Sequence, residues 1–263
     1  MMLRSPLMNV MVAAVLKAGK GLKRDFGELE NLQVSAKGPG DFVSIADKKA
    51  ERTLHQELGR ARPGYGFVME ETGVVEGADK THRWHIDPLD GTTNFLHGVP
   101  FFAVSVALER EGLLVAGVVY NPATEDLFVA ERGKGAFHNE RRIRVSGRRL
   151  MEDSMVGMSL ARLGRGQHQT NLADLGAVMG KVAGVRNFGA AALDLAYVAS
   201  GRLDGLASRW LSSWDLAAGI VLVREAGGFV TDIRGGDTML DTGDIVAGNE
   251  AVHKGLLGLF AKA

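Results

Sequence analysis

The sequence predicts an α+β fold, and three observations carry the prediction. Early segments space their apolar residues as helices do. From position 83 the pattern turns to short apolar runs bounded by Gly, Pro or Asn. The second half interleaves strands with helices and lacks the regular wind of repeated βαβ units. The chain has 263 residues, 46% hydrophobic and 24% charged, an ordinary globular composition. No fixed-period repeat or low-complexity linker divides it. The expectation is therefore one domain over residues 1–263, with two lobes meeting near 141–150, where RRIRVSGRR is rich in arginine.

In chain order, MMLRSPLMNVMVAAVLKAGKGLKR reads as an amphipathic first helix. Arg4, Asn9, Lys17 and Lys20 interrupt it well short of the roughly 20 apolar residues of a membrane span. An Arg precedes MNVMVAAVL, yet no cleavage site of a signal peptide follows. Ser44 with Asp47 three residues on resembles a capping box opening a helix through Glu51, Leu54 and Leu58. Pro63 and Gly64 then punctuate the chain, and a short strand GFVM leads into Glu70 and Glu71. RWHI, FAVSVALER, LLVAGVVYN and EDLFVAER follow as an expected antiparallel meander. Beyond them come strands at MVGMSL, RNF, LDGLAS and FVTD, and helices beginning near Ala190, Trp214 and Glu250.

Lys plus Arg and Asp plus Glu number 31 each, so no net field draws the molecule to nucleic acid or an anionic membrane. A charged ligand must be gripped locally. The absence of cysteine removes disulfides, thiolate nucleophiles and Cys-ligated metals, and points to the cytoplasm.

The segment WHIDPLDGTTNF carries the most chemistry. Pro88 fixes one backbone angle and Gly91 admits conformations other residues resist, so the turn can aim Asp87, the Leu89 carbonyl and Asp90 at one point. These are hard oxygen donors of the kind that suit Mg²⁺. The amides of Gly91 and Thr92, opening a helical turn through Phe95, would face an anion. As an isolated Asp-Gly pair the same residues read as a turn with Thr92 or Thr93 capping a helix. An EF-hand is excluded by the spacing, and the second acid sits one place too far along for an Asp-x-Asp-x-Thr aspartyl-phosphate enzyme. The expected nucleophile is thus a metal-activated water. Of Glu70 and Glu71, one can point toward a metal and the other cannot share that direction. Asp215 opens a helix whose Ala217, Ala218 and Gly219 permit close packing; it reads either as a cap or as an acid presented to a cavity. His85 projects to the same strand face as Asp87 and reads as a core or supporting histidine.

Taken in order, KGPGDFVSIADKKAE, FVMEETG, WHIDPLDGTTNFLHGVPFFAVSVAL, FGAAALDLAYVASGRLDG and SSWDLAAGIVLVREAGG resemble the inositol monophosphatase family over nearly the whole chain. The resemblance implies a layered α/β/α/β/α sandwich, Mg²⁺ as cofactor, sensitivity to Li⁺ and a homodimer. It also implies residue roles. Glu70, Asp87 and the Leu89 carbonyl would hold one metal, and Asp87, Asp90 and Asp215 a second, with Glu70 serving a third through waters. Thr92 and Glu70, backed by Asp47, would orient and deprotonate the attacking water. Gly91 and Thr92 would hold the phosphate, and Gly189, Ala190 and Ala191 would border the alcohol. The chain departs from the family pattern at Ser208, where an acid contacting inositol hydroxyls is common, at Arg209 beside it, and at Ala190 in place of Ser or Thr.

The expected activity is hydrolysis of inositol monophosphate or a related polyol phosphate. Fructose 1,6-bisphosphate, histidinol phosphate and 3′-phosphonucleotides are alternatives within the fold. An interaction protein that retains the fold is the alternative of another class, with the basic stretch 141–149 the one feature a nucleic-acid reading could use.

Overall fold

The computed structural model describes residues 4–28, 34–38, 41–160 and 167–260, with backbone alone for 34–38 and 41–44. The first half comprises α1 (Pro6–Phe26), β1 (Val34–Gly38), β2 (Asp41–Ser44), α2 (Ile45–Ala61), β3 (Tyr65–Met69), β4 (Gly73–Val75), β5 (Asp79–Asp90), α3 (Thr92–Leu96), β6 (Ala103–Arg110), β7 (Leu113–Asn121), β8 (Asp126–Glu131), β9 (Gly135–His138) and β10 (Arg141–Arg142). The second half comprises β11 (Met155–Met158), α4 (His168–Met179), β12 (Gly184–Arg186), α5 (Ala191–Ala199), β13 (Gly205–Ser208), α6 (Ser213–Glu225), β14 (Phe229–Thr231), α7 (Met239–Thr242), β15 (Ile245–Gly248) and α8 (Glu250–Phe260).

Eight strands form one sheet in the order β10-β9-β8-β7-β6-β5-β3-β4, and five form a second in the order β12-β11-β13-β15-β14. The expected meander is present from β5 to β10, every neighbouring pair antiparallel, while β3 joins β5 in parallel. Helices α1 and α2 bury Met8, Met11, Val15, Leu54 and Leu58 against one face of the larger sheet. Helices α5 and α6 fill the space between the sheets, sharing a core with Val119, Phe128, Leu206 and Ala247. On the outer face of the smaller sheet lie α4 and α8, around Val178, Leu256 and Phe260. The chain is thus an α/β/α/β/α sandwich. Both faces of the large sheet are covered, which is why β6 and β7 read as continuous apolar runs and do not alternate.

Local signals explain the ends of these elements. Ser5 Oγ accepts the Met8 amide and Pro6 occupies the first position of α1, so that helix starts where its side chains satisfy the free amides. Among the described helices none is long and apolar enough to cross a membrane. Helix α2 spans the predicted residues, but the Ser44 side chain proposed to cap it lies outside the described residues. RNF is corrected: the strand ends at Arg186, and Phe188 instead turns its carbonyl toward Asn94 Nδ2, 2.6 Å away.

Close packing in the middle layer depends on two glycines. A Cβ on Gly117 of β7 would lie 2.6 Å from the Ala218 carbonyl oxygen, and one on Gly219 of α6 would collide with the Leu195 side chain. At Gly117 the obstruction is backbone and cannot swing aside. Gly117→Val is expected to destabilise the fold by about 3 kcal/mol and lower the melting temperature by roughly 6–12 °C, measured by thermal denaturation.

Candidate active site

The site is built where strand β5 stops pairing regularly. Its register with β6 slips between Asp87 and Asp90, at Pro88, which has no amide to give. Asp87 Oδ1 accepts the Leu89 amide at 2.9 Å and fixes the turn. Gly91 then takes φ +90°, and a Cβ there would meet the Phe101 carbonyl at 3.0 Å and Ala190 Cβ at 3.1 Å. Only glycine meets both demands without strain. Helix α3 begins on it, with no side-chain cap, so the capping role considered for Thr92 or Thr93 is corrected. The Thr92 hydroxyl instead lies 3.1 Å from both Asp47 Oδ1 and the Leu89 carbonyl oxygen, and its one proton can go to either acceptor.

Asp87, Asp90 and Asp215 each bring a carboxylate oxygen to one place, all within 4.8 Å of one another. All three are buried, at 2%, 5% and 8% exposure. Parallel pairing of β3 with β5 sets Met69 opposite Ile86, which delivers Glu70 beside Asp87. Burial pushes the Asp87 carboxyl well above its ordinary value, and repulsion from Glu70, Asp90 and Asp215 adds to the rise, as does a hydrogen bond with Glu70. The Glu71 amide donates to Glu51 Oε2 at 2.8 Å.

Asp90 has a second attachment. Its two oxygens accept the amides of Ala191 and Ala192, at 3.2 and 2.7 Å, at the start of α5. Asp215 is held likewise: its Oδ2 accepts the Ser212 amide at 2.7 Å within a capping box. Cap and presented acid are therefore one residue, and the two readings of Asp215 do not compete. Two helix N-termini point their partial positive charge at the cluster and lessen the repulsion without removing it. Gly189 packs against the Asn94 side chain and Ala190 against Gly91, while Asn94 Nδ2 donates to the carbonyls of Phe101 and Phe188.

Other residues take supporting places. His85 Nε2 lies 2.7 Å from Glu109 Oε2, and its Nδ1 lies 3.3 Å from Ser213 Oγ in the first turn of α6, so it braces the helix that carries Asp215. Ser208 Oγ accepts the Ser159 amide, and the Arg209 guanidinium turns to Asp174, so neither departure from the family pattern adds a cation to the cleft. Sequence reasoning passed over Asp194. It is fully buried on α5 with neither oxygen hydrogen-bonded among the described residues, and burial with the Asp90 charge holds its carboxyl well above the usual range. An acid at an otherwise apolar helix position was its only signal.

The profile of the "Inositol monophosphatase family" matches residues 3–263. An "Inositol-1-monophosphatase" of Mesorhizobium japonicum is 61% identical, covering 97% of this chain and 96% of its own. A "Nus factor SuhB" of Pseudomonas aeruginosa is 43% identical, covering 96% of this chain and 94% of its own. The crystal structure of extragenic suppressor protein suhB from Bartonella henselae superposes with a TM-score of 0.95 at 55% identity, covering 98% of this chain and all of that one.

Proposed function

The chain belongs to the inositol monophosphatase family, and on that premise we propose that its acidic cleft hydrolyses inositol monophosphate, or a related small polyol phosphate, with Mg²⁺. It is a phosphoric monoester hydrolase. The observation that carries the substrate-site reading is the convergence of Asp87, Asp90 and Asp215 beside Glu70, a set of acids whose repulsion needs a cation to relieve it. Among the described residues every donor gathered there is a hard oxygen, so the set fits Mg²⁺.

Glu70, Asp87 and the Leu89 carbonyl would hold one ion, Asp87, Asp90 and Asp215 another, and Glu70 would face a third through water. When bound, such cations neutralise the phosphoryl oxygens and acidify a water. The chain's own groups supply direction. Thr92 Oγ1 takes a proton from the attacking water as it passes its own to Asp47 Oδ1, with Glu70 fixing the water from the other side. The amides of Gly91 and Thr92 hold the phosphate, and the alcohol leaves toward Gly189, Ala190 and Ala191. Thr92→Val, which keeps shape and loses the relay, is expected to lower kcat by about 10²-fold, with Thr92→Ser retaining most of it. Steady-state phosphate release checks both variants. In the same reading the enzyme is a cytoplasmic homodimer inhibited by Li⁺.

The test is phosphate release from inositol 1-phosphate, fructose 1,6-bisphosphate, histidinol phosphate and a 3′-phosphonucleotide, each with Mg²⁺ and with or without Li⁺. Fastest release from the inositol ester, suppressed by Li⁺, supports the reading. A preference for another ester moves the substrate and keeps the chemistry, and no hydrolysis at all overturns the reading. A second reading, in which the fold also serves an interaction, draws on the 43% identical relative named as a Nus factor and on the exposed Arg141, Arg142, Arg144, Arg148 and Arg149. An interaction unaffected by loss of the acidic cluster would favour it.

A further inference from the structure

In the outer helical layer, α4, α8 and the loops following β13 and β14 enclose a cavity of about 750 Å³, and none of its lining residues belongs to the acidic cleft. Its size is that of a small-molecule site. Its lining combines the apolar Ile233, Leu257 and Phe260 with the charged Asp174, Arg209 and Arg234. The charged part is built in advance. Asp174 is 2% exposed, and it holds Arg209 through Nε and Nη2, the latter at 3.0 Å, while the guanidinium sits 5.4 Å from the Phe260 ring centroid.

That pairing uses two of the five guanidinium donors and leaves three without a partner among the described residues, on a group whose position is fixed. Arg234 is exposed and forms no ion pair among the described residues. Two further acids stand close by but outside the lining: Asp232 accepts the amides of Arg234 and Gly236 and the Thr238 hydroxyl, and Asp244 accepts the Trp210 amide and interacts with the Arg209 charge. Among the lining residues two guanidiniums stand with one carboxylate beside aromatic and aliphatic surface, and the remaining Arg209 donors and the exposed Arg234 offer hydrogen bonds and charge to an anion at the lining itself. We propose that this cavity is a second binding site, taking a small anion that carries an apolar body.

8-Anilinonaphthalene-1-sulfonate, one sulfonate on an aromatic body, is the probe. Titrated into the native full-length protein, it is expected to fluoresce with saturable binding at one site per chain. Arg234→Glu should weaken that binding at least about tenfold by reversing the charge that meets the sulfonate. Ala173→Trp, on the α4 surface lining the cavity, should abolish it, while Leu172→Trp, exposed beside the cavity and not lining it, should leave it intact. Equal melting temperatures across the four proteins separate site loss from a loosened fold, which binds the same probe. Failure of the wild type to bind, or equal binding by Arg234→Glu and Ala173→Trp, overturns the proposal. No substrate enters the measurement, so the result is independent of the phosphatase reading.

Discussion

Asp90→Asn is expected to reduce phosphate-ester turnover by at least about 10³-fold while leaving the protein folded. The substitution removes one of three charges within 4.8 Å of one another and replaces a hard anionic oxygen with an amide that cannot hold Mg²⁺ as a carboxylate does. Two effects on stability oppose each other. An asparagine can accept only one of the Ala191 and Ala192 amides that Asp90 now accepts with two oxygens, at a cost of about 1–2 kcal/mol. Relief of repulsion with Asp87 and Asp194 works the other way. Phosphate release and a urea melt on the same preparation separate the two quantities. Turnover within tenfold of wild type in a folded Asp90→Asn protein would contradict the site assignment.

The second large effect couples pH, metal and stability. Asp87 and Asp194 are held well above the ordinary carboxyl value of 3.8, so in metal-free protein the folded state binds more protons than the unfolded one once the pH passes that value. Stability is therefore full below about pH 4 as far as these groups are concerned, and falls as pH rises toward their folded values. Metal-free protein is expected to melt at progressively lower temperature as the pH is raised above about 4, until these carboxyls have ionised in the folded state. A divalent cation stands in for the proton on Asp87, so its affinity rises over the same range and its binding releases protons. At about 100 times its dissociation constant, Mg²⁺ should add roughly 2.7 kcal/mol. Calorimetric titration in buffers of different ionisation enthalpy reads the proton release. Metal binding that releases no proton at any pH above about 4 would contradict a raised Asp87 carboxyl.

Much of the fold was legible because its signals are local. The runs in β6 and β7 stay apolar on both faces and end at Gly or Asn, and α1 carries its own Ser-Pro start. Helix α4 was illegible for the opposite reason. It buries Asn171 and Asp174 and exposes Leu172 and Met179, so its pattern gives no apolar stripe to read. In the site, Pro88 and Gly91 announced a turn that gathers acids, but the partners lie far along the chain. Thr92 meets Asp47 across 45 residues and Asp90 meets Ala192 across 102. The resemblance to a family brought these residues together before any geometry could. Asp194 lies inside the quoted block FGAAALDLAYVASGRLDG, but its burial without a hydrogen-bond partner among the described residues became visible only with the packing of α5, and the Arg209–Asp174 pair, outside every quoted block, only with the packing of α4 and α8.

The central claim is that Asp87, Asp90, Asp215 and Glu70 form the place where metal and phosphate meet. A crystal structure of protein soaked with Mn²⁺, whose anomalous signal locates it, and with inorganic phosphate tests that claim most directly. The expected result is anomalous density between Asp87, Asp90 and Asp215, with a second peak beside Glu70 and the Leu89 carbonyl, and phosphate against the amides of Gly91 and Thr92. Mn²⁺ bound elsewhere with the four carboxylates left without an ion, or phosphate seated away from Gly91, would contradict it.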